Sequence, residues 1–459
     1  GAPPAPRPRW LPDGSTTSTK PGKAKGAKGS DIVRTAADGT VEVLVPGEKL
    51  VPAGAKEPIA VQGYDLYADR DVALIYTNSA KVWRTNSRGD YWTYRRSTGQ
   101  LAKLGGDAKP ATLMYAKLSP DGTRVGYVRE NNIYVEPVGG GAAVKLTADG
   151  GEHVINGNFD WVYEEEFGLH AGWKWSPDGK SVAYWQLDTT GVKLFTMLDH
   201  KSGYPKPVTF AYPRAGETNS KCRVGVVPAA GGATTWLDIP GDTRKDFYIP
   251  RVDWADSSTE LVVQRFNRLQ NTADVLLADA ATGKAKVVLT EKDAAWVDVH
   301  DDAMKWVRGG AAFTWISERD GWRHLYLAAR DGSGLTPVTS GKFDVIRVLQ
   351  VDEKAGHVYF TASPENPTQQ YLYRVPLAGG DAVRVTPKDA PGWHEYDLAP
   401  DGGTAVHTHS RFGLPPATDV VAGSGSWEPP RFGSHRARRS GICAKHTQYL
   451  GQYCAASLG

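Results

Sequence analysis

Cysteine is scarce in this sequence of 459 residues, with only Cys222, Cys443 and Cys454 present. An odd, widely spaced set excludes a disulfide framework and fits no zinc-ligand spacing. No run approaches the ~18 consecutive apolar residues that a membrane-spanning helix needs. A sustained 3.6-residue apolar period is missing too, which argues against a helical bundle. No serine has glycine at both the −2 and +2 positions, so the nucleophile elbow of serine hydrolases cannot be drawn anywhere in the chain. No Asp-x-Asp-x-Asp-Gly calcium loop occurs either.

What is present is globular in character, with 40% hydrophobic and 23% charged residues. The net charge of +3 hides an uneven distribution. Residues 1–30 carry +5 and residues 424–459 carry +4, which leaves −6 in the middle. The basic pI therefore belongs to the two ends, and a nucleic-acid partner is not expected. The chain starts at Gly1 without methionine or a signal peptide, so its start does not decide export.

Residues 1–30 are rich in Pro, Gly, Ser, Thr and Lys and read as a flexible basic linker. "KPGKAKGAKGS" lacks the Gly-Lys-Ser/Thr ending of a phosphate-binding loop. From 31 to 421 the chain reads as strands, in runs such as "VEVLV", "VALIY", "SVAYW" and "HVYFT". Turn signals separate them: "SPDG" at 119–122 and 176–179, and "APDG" at 399–402. A longer phrase recurs as strand, Gly-rich turn, strand and threonine, closing at Thr147, Thr290, Thr339 and Thr386. The last two gaps are 49 and 47 residues, and the first, 143, has room for two degenerate copies. A strand-rich repeat of this length is one four-stranded propeller blade. A β-sandwich would not explain the period, and a β-helix would need shorter repeats. The predicted fold is all-β, an eight-bladed propeller over 31–421 with disordered basic tails at both ends.

After Val421 the alternation and the repeat phrase both stop. Residues 422–459 read as a disordered or non-native tail, and a reading-frame error in a GC-rich gene is one explanation. "RGD" at 88–90 reads as a hairpin turn.

The stretch with most chemistry is "DWVYEEEFGLHAGWKWSPDG", residues 160–179. A run such as Glu164, Glu165 and Glu166 is ordinarily a solvated face. Here it is embedded among Trp161, Tyr163, Phe167, Trp173 and Trp175 and precedes a blade. Calcium would want six to eight oxygens from a dedicated loop. An ammonium, with three donors, suits paired carboxylates better. Successive helical residues point ~100° apart, so two of the three can share a target.

These residues, "DWVYEEEF" followed by a Trp and "SPDG", resemble the double-glutamate motif of the dipeptidyl peptidase IV family of prolyl-oligopeptidase-type serine exopeptidases. "YPRAGETN" at 212–219, "RFNRLQN" at 265–271, "WISERDGWRHLY" at 315–326 and "SRFGLPP" at 410–416 are similar to further segments of that family. The resemblance runs in order over about residues 60–420. It implies an eight-bladed propeller, in agreement with the repeat period. It also implies that Glu165 and Glu166 bind the substrate's N-terminal ammonium. The family's Trp-Arg pair corresponds to Trp83-Arg84, which lies 81 residues before Glu165. Arg84 is then the ligand of a substrate carbonyl, the alternative being an exposed strand arginine. "WVDVHDD" at 296–302 lacks the animal enzymes' Phe-Arg pair, and no role is carried over to it.

The implied parent activity is release of Xaa-Pro or Xaa-Ala dipeptides from free N-termini. Its serine, aspartate and histidine belong to an α/β-hydrolase domain, which the residues after Gly423 are too few to form. The expectation is thus a substrate-selecting propeller with no catalytic residue of its own, no metal and no cofactor, truncated and inactive as it stands. The resemblance further implies a periplasmic or extracellular setting, docking to the hydrolase domain and a homodimer of the full-length parent. A rival reading is a stand-alone propeller that binds peptides or proteins without chemistry.

Overall fold

A computed structural model describes residues 8–22, 29–66, 71–201, 203–300 and 304–422. Almost all of the ordered secondary structure is antiparallel strand. The strands fall into successive up-and-down sheets in chain order. The first sheet holds four strands between Arg9 and Val45. An eight-stranded sheet follows, two four-stranded blades joined where Arg88 and Gly89 pair with Met114 and Leu113. The fourth blade has five strands between Val154 and Trp236, and the next three have four each. The last has three, spanning Trp393–Leu398, Thr404–Arg411 and Leu414–Ala422. A separate two-stranded hairpin, Leu194–Asp199 with Lys206–Ala211, projects from the fourth blade. Setting it aside leaves eight blade units, in line with the predicted propeller.

The core lies between neighbouring sheets rather than inside any one of them. One cluster joins Trp185, Leu187 and Val224 of the fourth blade to Ile249, Val252 and Leu261 of the fifth. Another joins Ile316 and Leu325 of the sixth to Val358 and Phe360 of the seventh. The second to seventh blades thus bury both faces, which is what radial stacking requires of short, β-branched strands. The first and eighth sheets meet through side chains. Trp10 Nε1 donates to Asp397 Oδ1 at 3.0 Å. Gly14, at φ +75°, lies so close to the Asp401 carboxylate that a side chain there would clash.

The repeat phrase has a physical basis. The closing threonine turns its hydroxyl back onto the amide of an inner strand: Thr147 accepts from Ile133 N at 3.0 Å, Thr339 from Leu325 N at 2.9 Å and Thr386 from Leu372 N at 2.9 Å. All three are buried, where an orphaned N–H would be costly. Thr243, in the gap left for degenerate copies, accepts from Cys222 N at 2.7 Å in the same way. Thr290 departs from the pattern and donates to Asp274 Oδ1 from an exposed position. The Pro-Asp-Gly turns are alike as well, with Gly122, Gly179 and Gly402 all at φ +69°.

Two expectations fail. Residues 1–30 are not a linker throughout, because Arg9–Trp10 and Thr16–Pro21 are strands of the first sheet. Thr16 to Pro21 pair in register with Thr35 to Ser30. The polar "TTSTKP" lacks apolar alternation because four of its six residues are exposed, and the pairing holds it through backbone hydrogen bonds. "RGD" is not a turn either: Arg88, Gly89 and Asp90 lie inside the strand Thr85–Arg95. Gly89 is needed there because a Cβ would run into the Tyr76 ring and the Thr77 carbonyl. Asp90 turns inward to accept from Asn78 Nδ2 at 2.9 Å and from Ala111 N at 3.0 Å. Of the predicted tail, residues 423–459 lie outside the described residues.

Candidate functional site

The three glutamates stand on a helix of seven residues, Trp161–Phe167, too short to persist by itself. Its two ends and one face are tied down. At the N-cap, Asp160 accepts from Tyr163 N at 3.0 Å through one carboxylate oxygen and from Ser220 Oγ at 2.5 Å through the other. Burial pushes the Asp160 carboxyl up, and these two bonds oppose the shift. At the other end Gly168 takes the left-handed conformation, φ +64°, and its N–H donates to the Tyr163 carbonyl. Tyr163 and Phe167, one turn apart, enter the core between the fourth and fifth blades with Phe159. Tyr163 Oη also accepts from Ile249 N at 3.2 Å.

This anchoring decides what each carboxylate meets. Glu164 is buried, and its Oε1 lies 3.7 Å from His170 Nδ1. Burial raises its pKa, His170 opposes that shift and the charge of Glu165 adds to it. Glu165 is partly exposed and faces Arg84. Glu166 is exposed, with no hydrogen bond or ion pair among the described residues.

Arg84 reaches the helix from another blade. The strands Val72–Val82 and Thr85–Arg95 form a long hairpin, and Trp83 and Arg84 make its tip, with Trp83 at φ +47°. The guanidinium donates from Nε and Nη2 to the two oxygens of Glu165, the Nη2–Oε2 distance being 2.9 Å. A two-point fork fixes orientation as well as charge. The Glu165 carboxylate holds the Arg84 pKa above its ordinary value. The Arg84 side chain remains 77% exposed, so its head is available to a ligand.

Of the three site residues read from the sequence, the fold therefore brings Arg84 and Glu165 into contact and leaves Glu166 one residue farther along the helix, open to solvent. Asp160 and Ser220, which hold the helix, are not among the residues that the motifs point to, although an aspartate directly before a short apolar-flanked run is a recognisable cap signal. The burial of Glu164 beside His170 has no sequence signal. Nor do the aromatic neighbours of the hairpin tip: Phe210 lies 4.6 Å from Trp83, and Tyr212 lies 4.3 Å from Trp161, ring centre to ring centre. Two of the other matching segments meet nearby, since Arg268 Nη2 donates to the Glu217 carbonyl at 2.6 Å.

The comparisons with known proteins agree with this architecture. Residues 67–416 match the family described as the dipeptidyl peptidase IV (DPP IV) N-terminal region. A probable dipeptidyl peptidase 4 of Aspergillus flavus is 30% identical over 373 residues, which are 76% of this chain and 48% of that protein. A dipeptidyl peptidase 4 of Trichophyton rubrum is 29% identical over 345 residues, 72% of this chain and 44% of its own. This chain thus spans about half the length of the curated relatives it matches. The crystal structure of Porphyromonas gingivalis dipeptidyl peptidase 4 superposes with a TM-score of 0.81 at 28% identity, covering 94% of this chain and 60% of that one. With a family match over most of its length, and a fold of eight blade units that carries a carboxylate helix facing an arginine hairpin, the chain belongs to the dipeptidyl peptidase IV family and carries its N-terminal propeller region.

Proposed function

We propose that this propeller selects substrates for a serine dipeptidyl peptidase that releases Xaa-Pro or Xaa-Ala dipeptides from free N-termini. The observation that carries the reading is the forked contact between Arg84 and Glu165, two residues 81 apart in sequence and on different blades. In this reading Glu165 and Glu166 hold the substrate's α-ammonium and Arg84 holds a carbonyl of the same peptide. An α-amine has a pKa of about 7.7–8.0 when isolated, and two carboxylates raise it, so the charged form binds. An acetylated terminus offers no cation and leaves the carboxylates desolvated without a partner. Anchoring the amine at a fixed place measures the distance to the bond that is cut. The cutting itself is assigned to an α/β-hydrolase domain, and none of the residues described above is given a part in it. The alternative of a binding module for proteins finds support in the hairpin 194–211, which presents Leu194, Leu198 and Tyr204 to solvent.

The test is calorimetric titration of this chain with an Xaa-Pro tripeptide, free or N-acetylated. The free peptide should bind, the acetylated one should not, and Glu165→Gln with Glu166→Gln should abolish the difference. Equal binding of both peptides refutes the clamp.

A further inference from the structure

The hairpin tip that carries Arg84 is braced by a second contact that runs beside the ion pair. Trp83 packs edge-on against Phe210 of the projecting hairpin, ring centres 4.6 Å apart. Phe210 and Phe195 both pack on Tyr212, at 6.0 and 5.4 Å. Tyr212 packs on Trp161 at 4.3 Å, and Trp161 opens the helix that carries Glu165. A row of aromatic rings therefore leads from the residue before Arg84 to the residue four before Glu165. The hairpin tip of the second blade thus meets two segments of the fourth along it, the helix between that blade's first two strands and the projecting hairpin. Phe210 and Tyr212 are half-buried along this row, whereas Phe195 and most of the rest of the hairpin are exposed.

We infer that Trp83 and Phe210 are positioning residues for Arg84: they hold the hairpin tip against the glutamate helix while the guanidinium exchanges Glu165 for a peptide carbonyl. This rests on the reading of Arg84 and Glu165 as peptide ligands. The argument is one of bound and free states. Before a peptide arrives, the Arg84–Glu165 fork ties the tip down. When an ammonium takes a share of Glu165 and Arg84 turns to a carbonyl, that tie weakens. The tip is a two-residue turn with Trp83 in a left-handed conformation and Arg84 mostly exposed, so its own backbone does little to hold it. The aromatic contact does not involve Glu165, so it persists through the exchange. It keeps the guanidinium within reach, and the ordering cost of the tip is met before binding.

The experiment uses the full chain, a free-amine Xaa-Pro tripeptide and its N-acetyl form. Trp83→Ala and Phe210→Ala should each weaken the free peptide by roughly two- to tenfold, the range for aromatic pairs. The double substitution should be no worse than the stronger single one, and Trp83→Phe should restore most of the affinity. In an Arg84→Ala background, Trp83→Ala should have no further effect, which a merely structural role would not produce. Amide hydrogen exchange over residues 79–88 should accelerate equally in Trp83→Ala and Phe210→Ala. An effect of Trp83→Ala that persists without Arg84, or exchange over 79–88 that does not change, overturns the inference. If the unmodified chain fails to prefer the free amine, the clamp reading falls instead, and hydrogen exchange alone decides whether the brace exists.

Discussion

Acidification should weaken the last blade through His394. This residue is buried between strands, with its ring stacked on His409 at 4.4 Å and near His407 at 5.2 Å and Tyr371 at 5.7 Å. His394 Nε2 lies 3.0 Å from the Ala390 carbonyl, which can only accept, so Nε2 carries the proton. Nδ1 is then the unprotonated nitrogen, 2.9 Å from His407 Nε2, and His407 Nδ1 in turn meets Asp419 Oδ1 at 2.9 Å. A proton arriving on His394 Nδ1 would bury a charge and set it against His407 and His409. Burial first, then these two neighbours and Arg384 push the His394 pKa down to about 4, against the bond to Ala390. The unfolded chain takes up the proton at the ordinary value of 6.5, before the fold does. Folding stability is therefore complete above pH 6.5, falls as pH drops through the window down to about 4, and is level below it. At about 1.4 kcal/mol per tenfold, the loss is about 2 kcal/mol near pH 5 and at most about 3 kcal/mol. That is a large part of a typical total stability of about 5–15 kcal/mol. The assay is urea unfolding of the wild type and of His394→Phe, followed at several pH values. The variant keeps an aromatic ring in the stack and removes only the titrating group at position 394, so the stability difference between the two proteins should change by about 2 kcal/mol on going from about pH 7 to 5. Parallel curves over that range would refute the assignment.

Two further outcomes follow from the buried hydrogen bonds. Asp160→Ala should free the glutamate helix at a cost of about 1–2 kcal/mol, seen as faster amide exchange over 161–167 and weaker peptide binding, whereas Asp160→Asn, which keeps the cap acceptor, should lose much less. Thr339→Val should cost about 1–3 kcal/mol in unfolding experiments by orphaning Leu325 N, while Thr290→Val, at an exposed member of the same repeat phrase, should stay within about 0.5 kcal/mol.

Much of this molecule was legible because its rules are local. The Pro-Asp-Gly turns depend on a fixed φ followed by a positive one, and both are properties of the residues themselves. The closing threonines stand out in the sequence as a period, and the fold gives three of the four their role as acceptors for a buried amide. Trp83-Arg84 and the glutamate triplet were visible as motifs. Strands that lack apolar alternation, such as Thr16–Pro21, were not legible, because a partner strand and not a buried face holds them. "RGD" misled for a related reason: its glycine answers to a Tyr76 ring that only the folded hairpin brings near.

Residue order alone determined the fold class, the approximate blade length and which short segments carry chemistry, since each depends on neighbours a few positions apart. Only the folded chain decided that Glu164 is buried, that Glu165 meets Arg84 and that Glu166 faces solvent. Those outcomes depend on how Asp160, Tyr163 and Phe167 anchor seven residues against a core drawn from two blades. They also depend on a hairpin tip and a row of rings supplied by distant parts of the chain.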